Sequence, residues 1–99
     1  MAGRNRYLLT YDVRDPRRLR RVHLVARDFG YPLQYSVFVC DLDGSELISM
    51  KARLLEEMHQ GIDSISVFDL GPQRGRGIGC VTHLGQRPAA PPPNGAVVW

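Results

Sequence analysis

The stretch Arg6-Tyr7-Leu8-Leu9-Thr10-Tyr11-Asp12-Val13-Arg14-Asp15 decides the fold, because an apolar run with β-formers at most positions ends in a carboxylate, an arginine and a helix cap. Apolar or aromatic residues at Tyr7, Leu8, Leu9, Tyr11 and Val13 leave no solvent face of any size. The run therefore reads as a strand covered on both sides, hence central in its sheet. Asp12 is the odd residue in it. A carboxylate near the end of a buried strand costs free energy unless a backbone N–H, an arginine or a metal meets it. At this point a purely structural Asp12, bonded to the adjoining turn, and a functional one stand level.

Outward from that strand, Asp15 suits an N-cap, Pro16 the first helical position and Gly30 an αL terminator, which predicts a helix from Pro16 to about Phe29. Leu19, Val22, Val25, Ala26 and Phe29 recur at helical spacing and form its sheet-facing side, with His23 expected to face out. Tyr31 to Leu42 is rich in β-branched and aromatic residues and gives two short strands or one bent one, with Pro32 placed near a start or an edge. Asp43 with Glu46 is a capping pair for a second helix, whose Leu47, Met50, Leu54, Leu55 and Met58 keep helical spacing until Gly61. Asp63 to Leu70 alternates around Ile65 and Val67 and predicts a further strand, ended by Gly71-Pro72. The order is β-α-β-β-α-β.

Past Pro72 the chain changes character. Gly71 to Gly79 is glycine-rich, but with no strand-loop-helix context and no Gly-Lys-Ser/Thr it is a poor phosphate loop. Cys80 to Leu84 is predicted as a short extra strand. Arg87 to Pro93 forms a proline-rich spacer before an apolar Ala96-Val97-Val98-Trp99, which calls for a covering surface. The chain thus divides into a domain over 1–85 and a tail over 86–99.

The chain has 99 residues, 43% of them hydrophobic, which suits one small domain that association with a second copy would help. No apolar stretch approaches the roughly 20 residues of a membrane span, and no signal-type segment opens the chain, so a cytoplasmic protein without membrane contact is expected. Cys40 and Cys80 lack metal-ligand spacing and are expected as free, packed thiols. The net charge of +3 is uneven. Between residues 14 and 28, Arg14, Arg17, Arg18, Arg20, Arg21 and Arg27 outweigh Asp15 and Asp28, whereas 29–70 is acidic and the tail again basic with Arg74, Arg76 and Arg87. Because the helix bases are all arginine, the side chain suited to bidentate phosphate contact, binding of a polyanion is favoured over a merely solvated face. Arg14, Arg17, Arg18, Arg20, Arg21, Arg74 and Arg76 are the candidate contacts.

Tyr11-Asp12-Val13, the arginine-rich helix opened by Asp15, Gln34-Tyr35-Ser36-Val37-Phe38 and Asp63-Ser64-Ile65 together resemble the CRISPR-associated endoribonuclease family, the small non-integrase (Cas-two) proteins of the CRISPR adaptation module. The resemblance implies a ferredoxin-like α+β fold with an additional C-terminal strand. It also implies a two-fold homodimer in which that late strand extends the partner's sheet. The implied activity is a metal-dependent endonuclease acting on RNA or DNA, with Mg²⁺ or Mn²⁺ held between the first-strand aspartates of both subunits. That aspartate is Asp12. Ser36 and Phe38 match the family's Ser-Val-Phe positions and join Asp12 as candidate catalytic residues. Pro32 and Val39 depart from its usual basic and acidic residues.

A second function, of another class, is a non-catalytic dimeric scaffold that bridges CRISPR integrase subunits and holds duplex DNA. One evident carboxylate per subunit and no histidine near it in sequence favour that alternative. An RNA-recognition module stacking bases on Tyr7, Tyr11 and Phe38 is a third, but those aromatics read as core.

Overall fold

In a computed structural model that describes residues 3–82, 84 and 85, the elements run β1 (Asn5–Asp12), α1 (Pro16–Phe29), β2 (Tyr31–Gln34), β3 (Val37–Leu42), α2 (Gly44–Glu57) and β4 (Ser64–Pro72), then a single 3₁₀ turn at Arg76–Ile78. The sheet order is β2-β3-β1-β4 with every pairing antiparallel, the ferredoxin-like arrangement expected from the sequence. β1 is central, and Pro32 sits in the edge strand β2, where its missing N–H costs least.

The strand period of two sorts the side chains of β1 onto two faces. Tyr7, Leu9 and Tyr11 lie with Cys40 and Phe38 of β3 and Ile65 and Val67 of β4, and close on Val22, Val25 and Ala26 of α1 and Met50 and Leu54 of α2. The other face carries Arg6, Leu8 and Thr10 beside Asp41, Val39, Phe68 and Ser66. β1 is thus covered by helices on one side only, not on both: Leu8 and Thr10 are half-buried and Phe68 is exposed. Apolar composition alone could not separate a strand covered on both faces from one whose second face stays partly open.

Arg6 and Asp41 make a bidentate pair on that second face (2.8 and 2.9 Å). The pair anchors the segment after β4, since Gln73 Nε2 donates to Asp41 and Arg6 to the carbonyl of Gly77. Cys80 to Thr82 form no strand in the chain's own sheet, and Cys80 is exposed rather than packed, its thiol donating to the Arg76 carbonyl. Cys40 is buried as expected, and burial pushes its thiol up to about 12. The segment 86–99, with the expected cover for Trp99, lies outside the described residues.

Both helices begin where the caps place them. The Asp15 carboxylate accepts from Arg18 N, and Asp43 and Glu46 close a complete capping box. Two ends differ from expectation. Gly30 is not an αL terminator; its backbone is extended, and a β-carbon there would meet the Val39 carbonyl oxygen at 2.4 Å and Cys40 Sγ at 2.6 Å. α2 stops at Glu57, short of Gly61, because the His59 N–H is taken by the Asp63 carboxylate (2.8 Å), and this turns the chain into β4. Leu55 leaves the core stripe and is 51% exposed. β4 runs two residues further than expected, through Gly71. That glycine adopts φ +94° where Leu70 and Gly71 of β4 oppose the single Arg6 of β1, a bulge only glycine enters easily. Among the described residues no helix is long and apolar enough to cross a membrane.

Candidate active site

Asp12 ends β1 with its side chain exposed, and Ser64 is its register partner on β4. By strand alternation it points away from the core that takes Tyr11. It is therefore not the costly buried acid its apolar neighbours suggested, and among the described residues it takes part in no ion pair. The β2–β3 turn comes to the same end of the sheet, for the Ser36 carbonyl accepts from Tyr11 N at 3.1 Å. Ser36 is thus one backbone hydrogen bond from the residue preceding Asp12. Phe38 is elsewhere: fully buried, 6.3 Å from the Tyr11 ring and edge-on to His23 at 5.4 Å. Its part is packing beneath the strand end, and it forms no wall of an open site.

His23, expected to face out, is buried instead. Its ring lies parallel to Tyr35 at 4.2 Å and 8°, and Nδ1 is 2.8 Å from the Tyr11 hydroxyl, which also donates to the Tyr35 carbonyl (2.7 Å). Burial above all lowers the His23 pKa, opposed by a hydrogen bond to the Tyr35 backbone and reinforced by the nearby Arg27 charge. Desolvation likewise pushes the Tyr11 hydroxyl up. A neutral imidazole and a neutral phenol thus tie α1, β1 and the β2–β3 turn together at the Asp12 end. No sequence signal separates this histidine from a solvated one, since it flanks the apolar stripe of α1.

The arginines divide. Arg14, Arg17, Arg20 and Arg21 are exposed, at the Asp12 end or along the outer side of α1. Arg18 is engaged: Nε and Nη2 donate to Asp63 at 2.7 and 3.1 Å, and the Asp63 side chain is 1% exposed. Arg18 is therefore corrected from nucleic-acid contact to structural tie. Arg74 and Arg76 are exposed but come after β4 at the end where Pro72 pairs Asn5, so the length of β1, about 26 Å for eight residues, separates them from Asp12. One chain does not gather all its basic residues at one place.

The family described as CRISPR associated protein Cas2 matches residues 5–76, from the first residue of β1 to the turn after β4. The chain belongs to the Cas2 family. It is 41% identical over 66 residues to the CRISPR-associated endoribonuclease Cas2 of Geobacter sulfurreducens, covering 67% of this chain and 70% of that protein. The corresponding protein of Nitratidesulfovibrio vulgaris is 40% identical over 91 residues, 86% of this chain and 85% of that one. Among solved structures, Streptococcus pyogenes Cas2 superposes with a TM-score of 0.66 at 35% identity, covering 81% of this chain and 99% of that one. A hypothetical protein of Thermus thermophilus gives 0.75 at 26% identity over 88% and 98%. The Geobacter and Nitratidesulfovibrio relatives are named as endoribonucleases, and the Cas2 fold accounts for the four-stranded sheet and two helices found here.

Proposed function

We propose that this Cas2 chain works in CRISPR adaptation as a homodimer that binds nucleic acid and hydrolyses phosphodiester bonds between two Asp12 carboxylates and a divalent cation, Mg²⁺ or Mn²⁺. The observation that carries this is a solvent-open carboxylate at the end of the central strand, with an exposed arginine face starting two residues later. The donor set fits such a cation in one way. Hard divalent ions accept one or two carboxylates and complete their shell with water and phosphate oxygens. Among the described residues no three ligating side chains cluster, and in this reading the second carboxylate is the Asp12 of another copy. When bound, the ion supplies Lewis acidity and a more acidic water. Asp12 would hold it, the Ser36 turn would orient the strand end, and Arg14, Arg17, Arg20 and Arg21 would position phosphates without reading sequence.

One observation favours the scaffold reading, in which the dimer bridges integrase subunits on duplex DNA and cuts nothing. His23, which reaches the Asp12 end of β1 through its Tyr11 contact, is buried there and so is a poor proton carrier for an open site. Asp12→Asn separates the two readings. Cleavage of RNA or DNA in Mg²⁺ or Mn²⁺ should fall about 100-fold or more, while dimerisation and duplex binding survive. A variant that cuts at the wild-type rate places the activity elsewhere. A wild type that cuts under neither metal, yet supports spacer acquisition with its integrase, leaves the scaffold alone.

A further inference from the structure

We propose that the apolar run Ala96-Val97-Val98-Trp99 seats in a groove between α2 and β4 of its own chain, with Trp99 as the anchor. The groove has a volume of 320 Å³ and is lined by Lys51, Leu54 and Leu55 of α2, Met58 at its end, and Ile65 and Val67 of β4. Its origin is the place of β4 in the sheet. Ile65 and Val67 share the helix side with Tyr11 and Leu9, their partners on β1, yet on this outer strand they stay half-buried while those two are buried. Leu55, in the same lining, is exposed. Apolar surface that the described residues leave open in this way forgoes the free energy its burial would supply.

The occupant has to be apolar, which excludes a polyanion: the helix that walls the groove carries Glu56 and Glu57, and its last turn has no basic residue. The exposed Phe68 lies on the opposite face of the sheet, so a copy covering that ring leaves this groove as it is. The run 96–99, outside the described residues, has the matching chemistry. Its aliphatic side chains suit the leucines, methionine and valine of the lining, and Lys51 is the one charged residue there. An indole face is the best aromatic partner for a lysine ammonium. Reach suffices as well. Cys80 Sγ lies 3.4 Å from the Leu70 carbonyl oxygen, so the chain passes β4 three residues, about 10 Å, from Val67. Four of the ten residues 86–95 are proline, and a spacer of that composition spans up to about 30 Å, enough to round the β4 edge to the helix side. Docking within one chain is unimolecular, so a contact too weak to hold a separate peptide keeps the run seated.

Trp99 is the chain's single tryptophan, so its fluorescence reads the run directly. In the full chain its emission should lie to the blue of the urea-unfolded protein and resist quenching by acrylamide. Leu55→Glu puts a charge into the groove at an exposed helix position, and Lys51→Glu replaces the rim cation. Both should keep the wild-type circular dichroism, move the emission to the red and raise acrylamide quenching several-fold. Deleting 96–99 should lower the melting temperature by several degrees in the wild-type background and not at all in Leu55→Glu, the non-additivity expected of groups in contact. The source of the run is read by refolding Leu55→Glu chains together with Trp99→Phe chains, whose groove is intact. Emission that stays red-shifted keeps each run on its own chain, whereas a return toward the blue puts it on the partner and overturns the proposal. A water-exposed Trp99 in the wild type, an emission unmoved by both groove variants, or equal losses on deletion in the two backgrounds overturns it as well.

Discussion

Arg18 shows how one side chain in a charged run can differ in kind from its neighbours. Its guanidinium forks onto Asp63, whose carboxylate also accepts from His59 N, and its own N–H is taken by the Asp15 cap. The pair thereby joins the start of α1 to the residue preceding Ser64, which lies across from Asp12. Arg18 above all, with the His59 N–H, holds the Asp63 pKa below the ordinary carboxylate value. A carboxylate whose folded pKa is depressed contributes stability that is fully present above its unfolded value, about 3.9, and lost as pH falls through the folded one. Arg18→Ala should therefore melt several degrees below wild type at neutral pH, and the gap should close below about pH 4. Thermal melts from pH 7 to pH 3 read this directly, and a gap independent of pH would exclude the ion pair as its cause. Nothing in the sequence marks Arg18 as the engaged arginine, because its partner lies 45 residues away. His23 was unreadable for the same reason: a stacking partner in another element made it a core residue.

At the scale of elements, what was legible was local. Asp15 with Pro16, and Asp43 with Glu46, start helices through contacts within three residues, so both N-termini fall where the sequence puts them. Helix ends depend on what lies opposite. Gly30 is glycine because β3 passes close to it, with the Val39 carbonyl and the Cys40 thiol occupying the space of a β-carbon. Its φ of −159° would suit any residue, so crowding and not backbone strain is what a substitution meets. Gly30→Ala should lose about 1–3 kcal/mol as the α1–β3 contact is forced apart, measured by urea unfolding. A loss near zero would mean the terminus yields freely there. Alternation likewise placed β4 but not its length, since the bulge at Gly71 carries pairing past the expected stop to Pro72.

For the whole molecule, the face opposite the helices and the outer edge of β4 pose one physical problem. β4 is nine residues long, it is the last strand of the sheet among the described residues, and Phe68 on it is 52% exposed beside the half-buried Leu8. A long unpaired edge flanked by apolar surface invites uncontrolled pairing unless something covers it. A second copy would do so under two-fold symmetry, and would bring a second Asp12 carboxylate to the proposed cation site. Phe68 is the residue to test, because its exposure in the single chain means that replacing it leaves the core intact. Each such ring buried at an interface contributes about 1.5–3 kcal/mol, and symmetry counts it twice, so Phe68→Lys should weaken dimerisation about 100-fold or more. Sedimentation at micromolar concentration should show dimer for wild type and monomer for the variant, with the variant's circular dichroism unchanged. A Phe68→Lys protein that remains dimeric would move the interface to another surface. A wild type that is monomeric throughout would leave Asp12 a single carboxylate and remove the ground for a shared cation.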